Sequence, residues 1–218
     1  MITKIAALLV GLVATASLHA APVYDNTTTD TSQTISYSAN AFSEIGDRIA
    51  LGGTERHVST ATAEFFNAGG DGGSFVATLN FYDAASGNPG VGGSLGTFTV
   101  TVGSIGAGSI LDVNWALGGL LLPDDVVFTV AVSRVSNGLD LGLNLFDAPT
   151  VGSSDNAFFI AKDGGGFAKN TTGLDQDNVF FRLDVATTDT VPEPSSLALL
   201  LVAGLSLAWV RSRPSTSR

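Results

Sequence analysis

Ser74-Phe75-Val76-Ala77-Thr78-Leu79-Asn80-Phe81-Tyr82 is the stretch of this sequence that decides the fold. Every second residue from Phe75 to Phe81 is apolar, and Thr78 and Asn80 lie between them. Because successive side chains of a strand point to opposite faces, this period of two predicts a strand with one buried face. Tyr82 falls on the face opposite Phe81, where we expect it to be exposed.

The same alternation recurs on both sides of this stretch. The predicted strands cover residues 35–38, 48–51, 57–66, 74–82, 96–102, 110–117, 126–134, 139–146, 157–161 and 178–185. Residues 83–93 are predicted to form a turn, and Asn137-Gly138 is a tight-turn signal typical of hairpins. The polar residues 25–34 are predicted to be a loose segment without a strand. Trp115 is in register with apolar neighbours, so we expect it in the core.

About nine strands follow one another with no convincing amphipathic helix between them. Parallel α/β architectures need long crossovers, usually helical, and these are missing. No repeat of fixed period indicates a propeller or a β-helix. We therefore predict an all-β fold, an antiparallel β-sandwich that is jelly-roll-like.

Composition limits what the predicted domain, residues 21–190, can do. It carries 6 basic residues against 19 acidic ones, a net charge of −13. A surface this acidic repels phosphate groups, which excludes nucleic acid as a partner. The chain contains no cysteine, so neither disulfides nor thiol chemistry can contribute.

The first 20 residues have the pattern of a secretory signal peptide. Lys4 supplies the positive charge, residues 5–13 form an apolar run, and small residues follow up to Ala20. An uncleaved N-terminal anchor is the alternative. Either interpretation predicts export.

The last 28 residues, 191–218, combine three features in order. Val191-Pro192-Glu193-Pro194 forms a stiff break, because proline continues neither a helix nor a strand ladder. Residues 195–210 are then apolar and predict a single transmembrane helix of about 24 Å. Arg211 and Arg213 follow, where they would hold that end on the cytoplasmic side.

This tail resembles the PEP-CTERM sorting signal of Gram-negative bacteria. The resemblance implies recognition of Pro192, Glu193 and Pro194 by a membrane enzyme, an exosortase, which cuts near the motif. It implies passage through the inner membrane, followed by a place at the cell surface or in an extracellular matrix of exopolysaccharide, as in a biofilm. An ordinary C-terminal membrane anchor is the alternative interpretation.

The domain offers few residues for catalysis. His57 is its single histidine, which excludes a multi-histidine zinc site, and no nucleophile elbow accompanies it. Paired carboxylates could serve a glycosidase, but sequence does not show whether Glu44, Glu55 and Glu64 converge. We therefore predict no catalytic residues and no enzyme activity.

Two weaker binding patterns remain. Asp175, Asp177 and Asn178 place three oxygen side chains within four residues, which is compatible with a calcium site, although ordinary acidic turns have the same composition. Tyr82 is a candidate for stacking on a sugar ring.

The sequence thus predicts an exported, non-catalytic protein of the cell envelope or matrix. The alternative is a carbohydrate-binding or carbohydrate-cleaving sandwich module, with or without structural calcium.

Overall fold

The computed structural model describes residues 21–86, 90–133, 135–155, 159–164, 166–171 and 178–185. These residues form fourteen strands and one short helix, α1 (Tyr37–Asn40). In chain order the strands are β1 (Pro22–Asn26), β2 (Asp30–Ser36), β3 (Glu44–Ala50), β4 (His57–Asn67), β5 (Gly73–Ala84), β6 (Val91–Ile105), β7 (Ile110–Leu121), β8 (Asp125–Ser133), β9 (Leu141–Phe146), β10 (Ser153–Ser154), β11 (Phe159–Asp163), β12 (Gly166–Asn170), β13 (Asn178–Val179) and β14 (Phe181–Val185).

The strands form two antiparallel sheets of seven strands each. In the first sheet, sheet A, strand β4 lies at the centre. One side of β4 pairs with β7, and the other side pairs with β14 and β9. β1 extends the sheet beyond β14, β2 extends it beyond β9, and β13 also pairs with β9. In the second, sheet B, the order is β12-β11-β3-β8-β5-β6, with β10 beside β3.

Apolar side chains from the inward faces of both sheets form one core. Phe128 of sheet B stacks on Phe181 of sheet A, with ring centroids 3.7 Å apart and planes 10° from parallel. Phe65 and Phe75 make a second contact between the sheets at 5.0 Å. Trp115 is 1% exposed, which confirms the prediction that it belongs to the core. The fold is therefore an all-β sandwich, as the alternation predicts.

Several predicted boundaries are wrong. The structure has fourteen strands in the described residues instead of about nine, and residues 25–34, predicted to be loose, contribute to β1 and β2. The polar side chains of β2 are tolerated because this edge strand leaves most of them exposed or half-buried, whereas Asp25 and Asn26 of β1 are buried. The predicted turn at 83–93 is shorter, since β5 continues to Ala84 and β6 begins at Val91.

Asn137-Gly138 does not close a hairpin. The strands on either side, β8 and β9, belong to different sheets, so this connection crosses from sheet B to sheet A. Gly138 does adopt a positive φ of 86°, as a turn residue. The prediction of a turn is therefore confirmed, but the hairpin is wrong, and Asn137 lacks the positive φ that a type I′ hairpin turn requires.

Candidate functional site

The candidate site lies on the outer face of sheet B and is centred on Glu44. Ile45 and Ile49 of β3 point into the core, so Glu44 and Arg48 point outward. Register places Tyr82 of β5, Val127 of β8 and Arg48 in one cross-strand row on this face. A neighbouring row at the same face contains Asn80, Thr129, Gly46, Ile160 and Lys169.

The Glu44 carboxylate accepts four hydrogen bonds from side chains of three other strands, β5, β8 and β11. Oε2 accepts from Thr129 Oγ1 at 2.6 Å, from Tyr82 Oη at 3.0 Å and from Asn80 Nδ2 at 3.3 Å. Oε1 accepts from Lys162 Nζ at 3.0 Å. The Glu44 side chain is only 10% exposed. Glu44 therefore fixes the outward side chains of β5, β8 and β11 relative to β3.

These contacts set the charge states of Glu44 and Tyr82. Burial alone would raise the pKa of Glu44, but the hydrogen bonds from Thr129, Lys162 and Tyr82 hold it below its ordinary value. Burial, together with the negative charge of Glu44 and the hydrogen bond to it, raises the pKa of Tyr82 to about 12. Glu44 is thus an ionised acceptor near neutral pH and Tyr82 a neutral donor, so neither is poised to transfer a proton.

Tyr82 is half-buried and is held on two sides. Its hydroxyl is bound by Glu44, and its ring meets the ring of Phe167 on β12 edge to face, with centroids 5.2 Å apart. Lys162 Nζ lies 5.1 Å from the centroid of Phe167, a cation–π distance. Tyr82 was expected to be exposed and is only partly so, because the hairpin of β11 and β12 brings Phe167 against it. Its outward position is as predicted.

An open cleft of about 270 Å³ lies on the same face. Its lining residues are Arg48, Ala50, Asp125, Ser153, Ser154, Asp155 and Lys169. Arg48 is held there by a fork-like contact with Asp125 and a hydrogen bond to Ala85 O at 3.3 Å. Val127 and Ile160 are fully buried although they occupy outward positions. The face therefore combines buried apolar positions, hydrogen-bonded polar groups and two half-buried aromatic rings, Tyr82 and Phe167.

The three glutamates that could have formed a glycosidase pair lie apart. Glu44 is on the outer face of sheet B, Glu64 lies on β4 of sheet A, and Glu55 is in the segment before β4. Glu64 accepts a hydrogen bond from Asn144 at 2.6 Å and Glu55 accepts from the backbone of Arg56 and His57. The exposed His57 has its Nδ1 3.3 Å from Gly119 O. The structure therefore brings none of these four groups together.

Only one of the three predicted calcium ligands lies in the described residues. Asp175 and Asp177 are outside them, whereas Asn178 is fully buried and its Oδ1 accepts from Ser154 Oγ at 2.6 Å. In the part of the chain that the structure describes, no group of three or more His, Cys, Asp or Glu side chains is arranged to hold a metal ion.

The predicted sorting residues Val191, Pro192, Glu193 and Pro194 and the basic residues Arg211 and Arg213 also lie outside the described residues. Among the residues that are described, no helix has the length and apolar character needed to cross a membrane.

The sequence analysis considers Glu44 only as a possible glycosidase carboxylate and misses its role as the hydrogen-bond acceptor of this face. The alternation of Ile45 and Ile49 could have placed Glu44 on an outer face, but nothing local indicates that Tyr82, 38 residues later, lies beside it. The chain matches no protein-family model, no curated protein and no solved structure.

Proposed function

We propose that this chain is an exported, non-catalytic protein of the cell surface or extracellular matrix, sorted and cleaved through its C-terminal signal. One observation carries the proposal: residues 191–218 contain the Pro-Glu-Pro break, the apolar run and the basic residues in the order that sorting requires. In this proposal an N-terminal signal (residues 1–20) and a C-terminal helix (residues 195–210) flank a jelly-roll-like sandwich. An exosortase-type enzyme is the processing partner.

The described fold supports this proposal because its last strand, β14, ends at Val185, before the Pro-Glu-Pro motif begins. Among the described residues, every member of the buried apolar cluster lies between Val23 and Val185. Cleavage near residue 192 would therefore remove no residue of that cluster.

Intact mass spectrometry of the protein from its native cells tests the proposal. We expect a mature chain that starts near Ala21, ends near the motif and is found outside the cytosol. Replacing Pro192 and Pro194 together by Ala should leave the C-terminal segment attached, while Pro149→Ala, in the segment between β9 and β10, should leave processing unchanged. A full-length chain in the cytosol, or unchanged processing of the double variant, would exclude this function.

A second candidate function is binding of a neutral polysaccharide by the outer face of sheet B. The observation in its favour is that Glu44 binds the hydroxyl of Tyr82 and Phe167 contacts its ring, on the sheet face that also carries an open polar cleft. A preorganised ring loses little freedom when a sugar stacks on it. The acidic surface is compatible with an uncharged glycan but not with a polyanion.

Retention on polysaccharide affinity gels tests the second function. Tyr82→Ala should abolish retention, and Tyr82→Phe should keep most of it because the ring remains. Phe66→Ala, which changes a half-buried ring on sheet A, is the matched control and should bind as the wild type does. Equal migration of wild type and Tyr82→Ala on every gel would exclude this function, and release of reducing sugar would indicate an enzyme instead.

A further inference from the structure

β6 is an edge strand, and one of its two sides has no partner strand among the described residues. It lies at the end of sheet B and pairs only with β5. Residues 96–102 keep a regular register with β5, and the register shifts lie on either side of them. A regular edge strand presents an evenly spaced row of backbone N–H and C=O groups to a further strand. Residues 96–102 therefore offer such a row on the side away from β5.

The features that normally protect an edge strand are missing from β6. Edge strands avoid pairing with other molecules through charged side chains, prolines or bulges. β6 contains neither a charged residue nor a proline in its 15 residues, and residues 96–102 contain no bulge. Each of the other described edge strands of five or more residues carries a charge: Asp25 in β1, Asp30 in β2, Asp112 in β7 and Lys169 in β12.

The core is incompletely covered along this side of the sandwich. Among the described residues, eight apolar side chains pack on the core but are only half-buried, and five of them form what we call the β6–β7 seam: Leu95, Phe98, Val100, Leu111 and Leu120. β7 is an edge strand of sheet A, and it reaches β6, since a Cβ atom at Gly96 would lie 3.5 Å from Leu120 Cδ1. A further strand beside β6 would cover part of this seam, and burial of apolar surface favours such an addition.

The composition of β6 selects a second copy of this chain over a charged partner. The whole chain has a net charge of −10, so two copies repel each other unless they meet at an uncharged surface. β6 offers that surface, and it offers no charge to attract a basic partner. Exposed threonines at 97, 99 and 101 alternate with half-buried Phe98 and Val100. Antiparallel pairing of β6 with its own copy would place threonines beside threonines and apolar side chains beside apolar ones.

We propose that two copies of this chain associate through β6, in antiparallel pairing about a twofold axis. Sheet B of one copy then continues into sheet B of the other. Full overlap of residues 96–102 with their own copy puts Thr99 of one protomer opposite Thr99 of its partner. Pairing occupies the uncharged edge of each copy, so the association closes as a dimer. This inference goes beyond the sorting function and does not rest on it.

Sedimentation velocity of the full chain tests the proposal, in a mild detergent that shields the apolar run of residues 195–210. We expect a monomer–dimer equilibrium. Added sodium chloride should strengthen the dimer, because salt screens the repulsion between two acidic molecules. A chain that stays monomeric at about 100 μM, where even a small interface should be populated, would overturn the proposal.

A lysine at the edge makes the test specific. Thr99→Lys should weaken the dimer by at least about fivefold, because it brings two like charges together across the twofold axis. Thr60→Lys is the matched control, since Thr60 is an exposed threonine of β4, at the centre of sheet A. Both variants reduce the net negative charge equally, so a general charge effect would strengthen both dimers. Equal dissociation constants for the two variants would show that another surface holds the copies together.

Cross-linking supplies a second measurement, because the chain contains no cysteine of its own. Residues directly opposite each other in antiparallel strands have Cα atoms about 4.5–5.5 Å apart, within the range that a disulfide spans. Under mild oxidation Thr99→Cys should form a covalent dimer, and Thr60→Cys should remain a monomer. No more cross-linking at position 99 than at position 60 would overturn the proposed pairing, even if Thr99→Lys were to unfold.

Discussion

Glu44→Gln is expected to destabilise the protein at neutral pH by about 1–3 kcal/mol. Glutamine offers one acceptor oxygen where the carboxylate offers two, and its amide N–H₂ would face either the donor Lys162 or the donor Thr129, depending on its orientation. Because the pKa of Glu44 is lowered by folding, its contribution is present above about pH 4.3 and is lost as the pH falls through the lowered value. Urea unfolding at pH 7 and pH 3 measures both effects.

The control for this substitution is Glu55→Gln. Glu55 lies outside the strands and accepts only from two backbone N–H groups, a role that a glutamine oxygen can also fill. We expect it to leave stability at pH 7 nearly unchanged. If Glu44→Gln and Glu55→Gln unfold at the same urea concentration, the hydrogen bonds to Glu44 do not anchor the outer face of sheet B.

Glu64→Gln is expected to stabilise the protein at neutral pH, in contrast to Glu44→Gln. Burial, together with the charges of Asp112 on β7 and Asp30 on β2, raises the pKa of Glu64, while the hydrogen bond from Asn144 opposes this shift. Ionised Glu64 therefore weakens the fold as the pH rises through the raised value, and its neutral form is tolerated below about pH 4.3. Glutamine keeps the acceptor for Asn144 without the charge.

We expect Glu64→Gln to raise the melting temperature by about 1–2 °C at pH 7 and to leave it unchanged at pH 3.5. Scanning calorimetry in low salt measures the difference, which added sodium chloride should reduce by screening Asp30 and Asp112. A lower melting temperature at pH 7 would show that the ionised carboxylate is favourable where it lies.

At the scale of single residues, the sequence predicts which side chains are buried better than it predicts which residues they contact. The alternation places Phe75 and Trp115 in the core, and the structure confirms both. It also places Tyr82 outward, but the contact with Glu44 depends on β8 lying between β3 and β5 in sheet B. That order is decided by packing between distant segments, so no local pattern contains it.

At the scale of strands, prediction works where one face is buried along the whole length. β4 and β5 have one mostly buried face, β8 is buried on both faces from Val126 to Val130, and all three begin and end within two residues of their predicted limits. β1, β2 and β12 escape prediction because they are edge strands rich in polar residues, formed through pairing with β14, β9 and β11. Strand propensity depends on such neighbours more than on intrinsic preference.

The pairing of β3 with β8 depends on a glycine. A Cβ atom at Gly46 would collide with Phe128 O and lie 2.6 Å from Thr129 Cα, both backbone atoms of β8. Because backbone cannot move aside as a flexible side chain does, we expect Gly46→Ala to cost about 2–4 kcal/mol. Guanidinium unfolding measures this loss.

Gly103→Ala on β6 is the matched control, since nothing lies within 4 Å of the added carbon. It should be neutral or slightly stabilising, because alanine restricts the unfolded chain more than glycine does. If Gly46→Ala and Gly103→Ala were equally stable, the pairing of β3 with β8 would not depend on the glycine at position 46.

At the scale of the whole molecule, the chain crosses repeatedly between the two sheets, so the core is assembled from segments far apart in sequence. β3, β8 and β11 belong to sheet B, while β4, β9 and β14 belong to sheet A. The aromatic contact between Phe128 and Phe181 joins residues 53 positions apart. The alternation could predict a sandwich, but it could not predict which strands share a sheet.

Removing residues 191–218 is expected to leave the fold intact. Within the described residues, the buried apolar cluster extends to Val185, whose backbone N–H donates to Ala21 O at 3.1 Å. We expect the chain that ends at Thr190 to unfold in one cooperative transition, within about 2 °C of the full chain; a shift of that size corresponds to less than about 1 kcal/mol for a domain of this length. Scanning calorimetry of both chains measures the difference.

As a control, a chain that ends at Phe180 loses β14 and should not fold. If the chain ending at Thr190 also failed to fold, a cleavable sorting tail would be ruled out, since processing must release a folded domain.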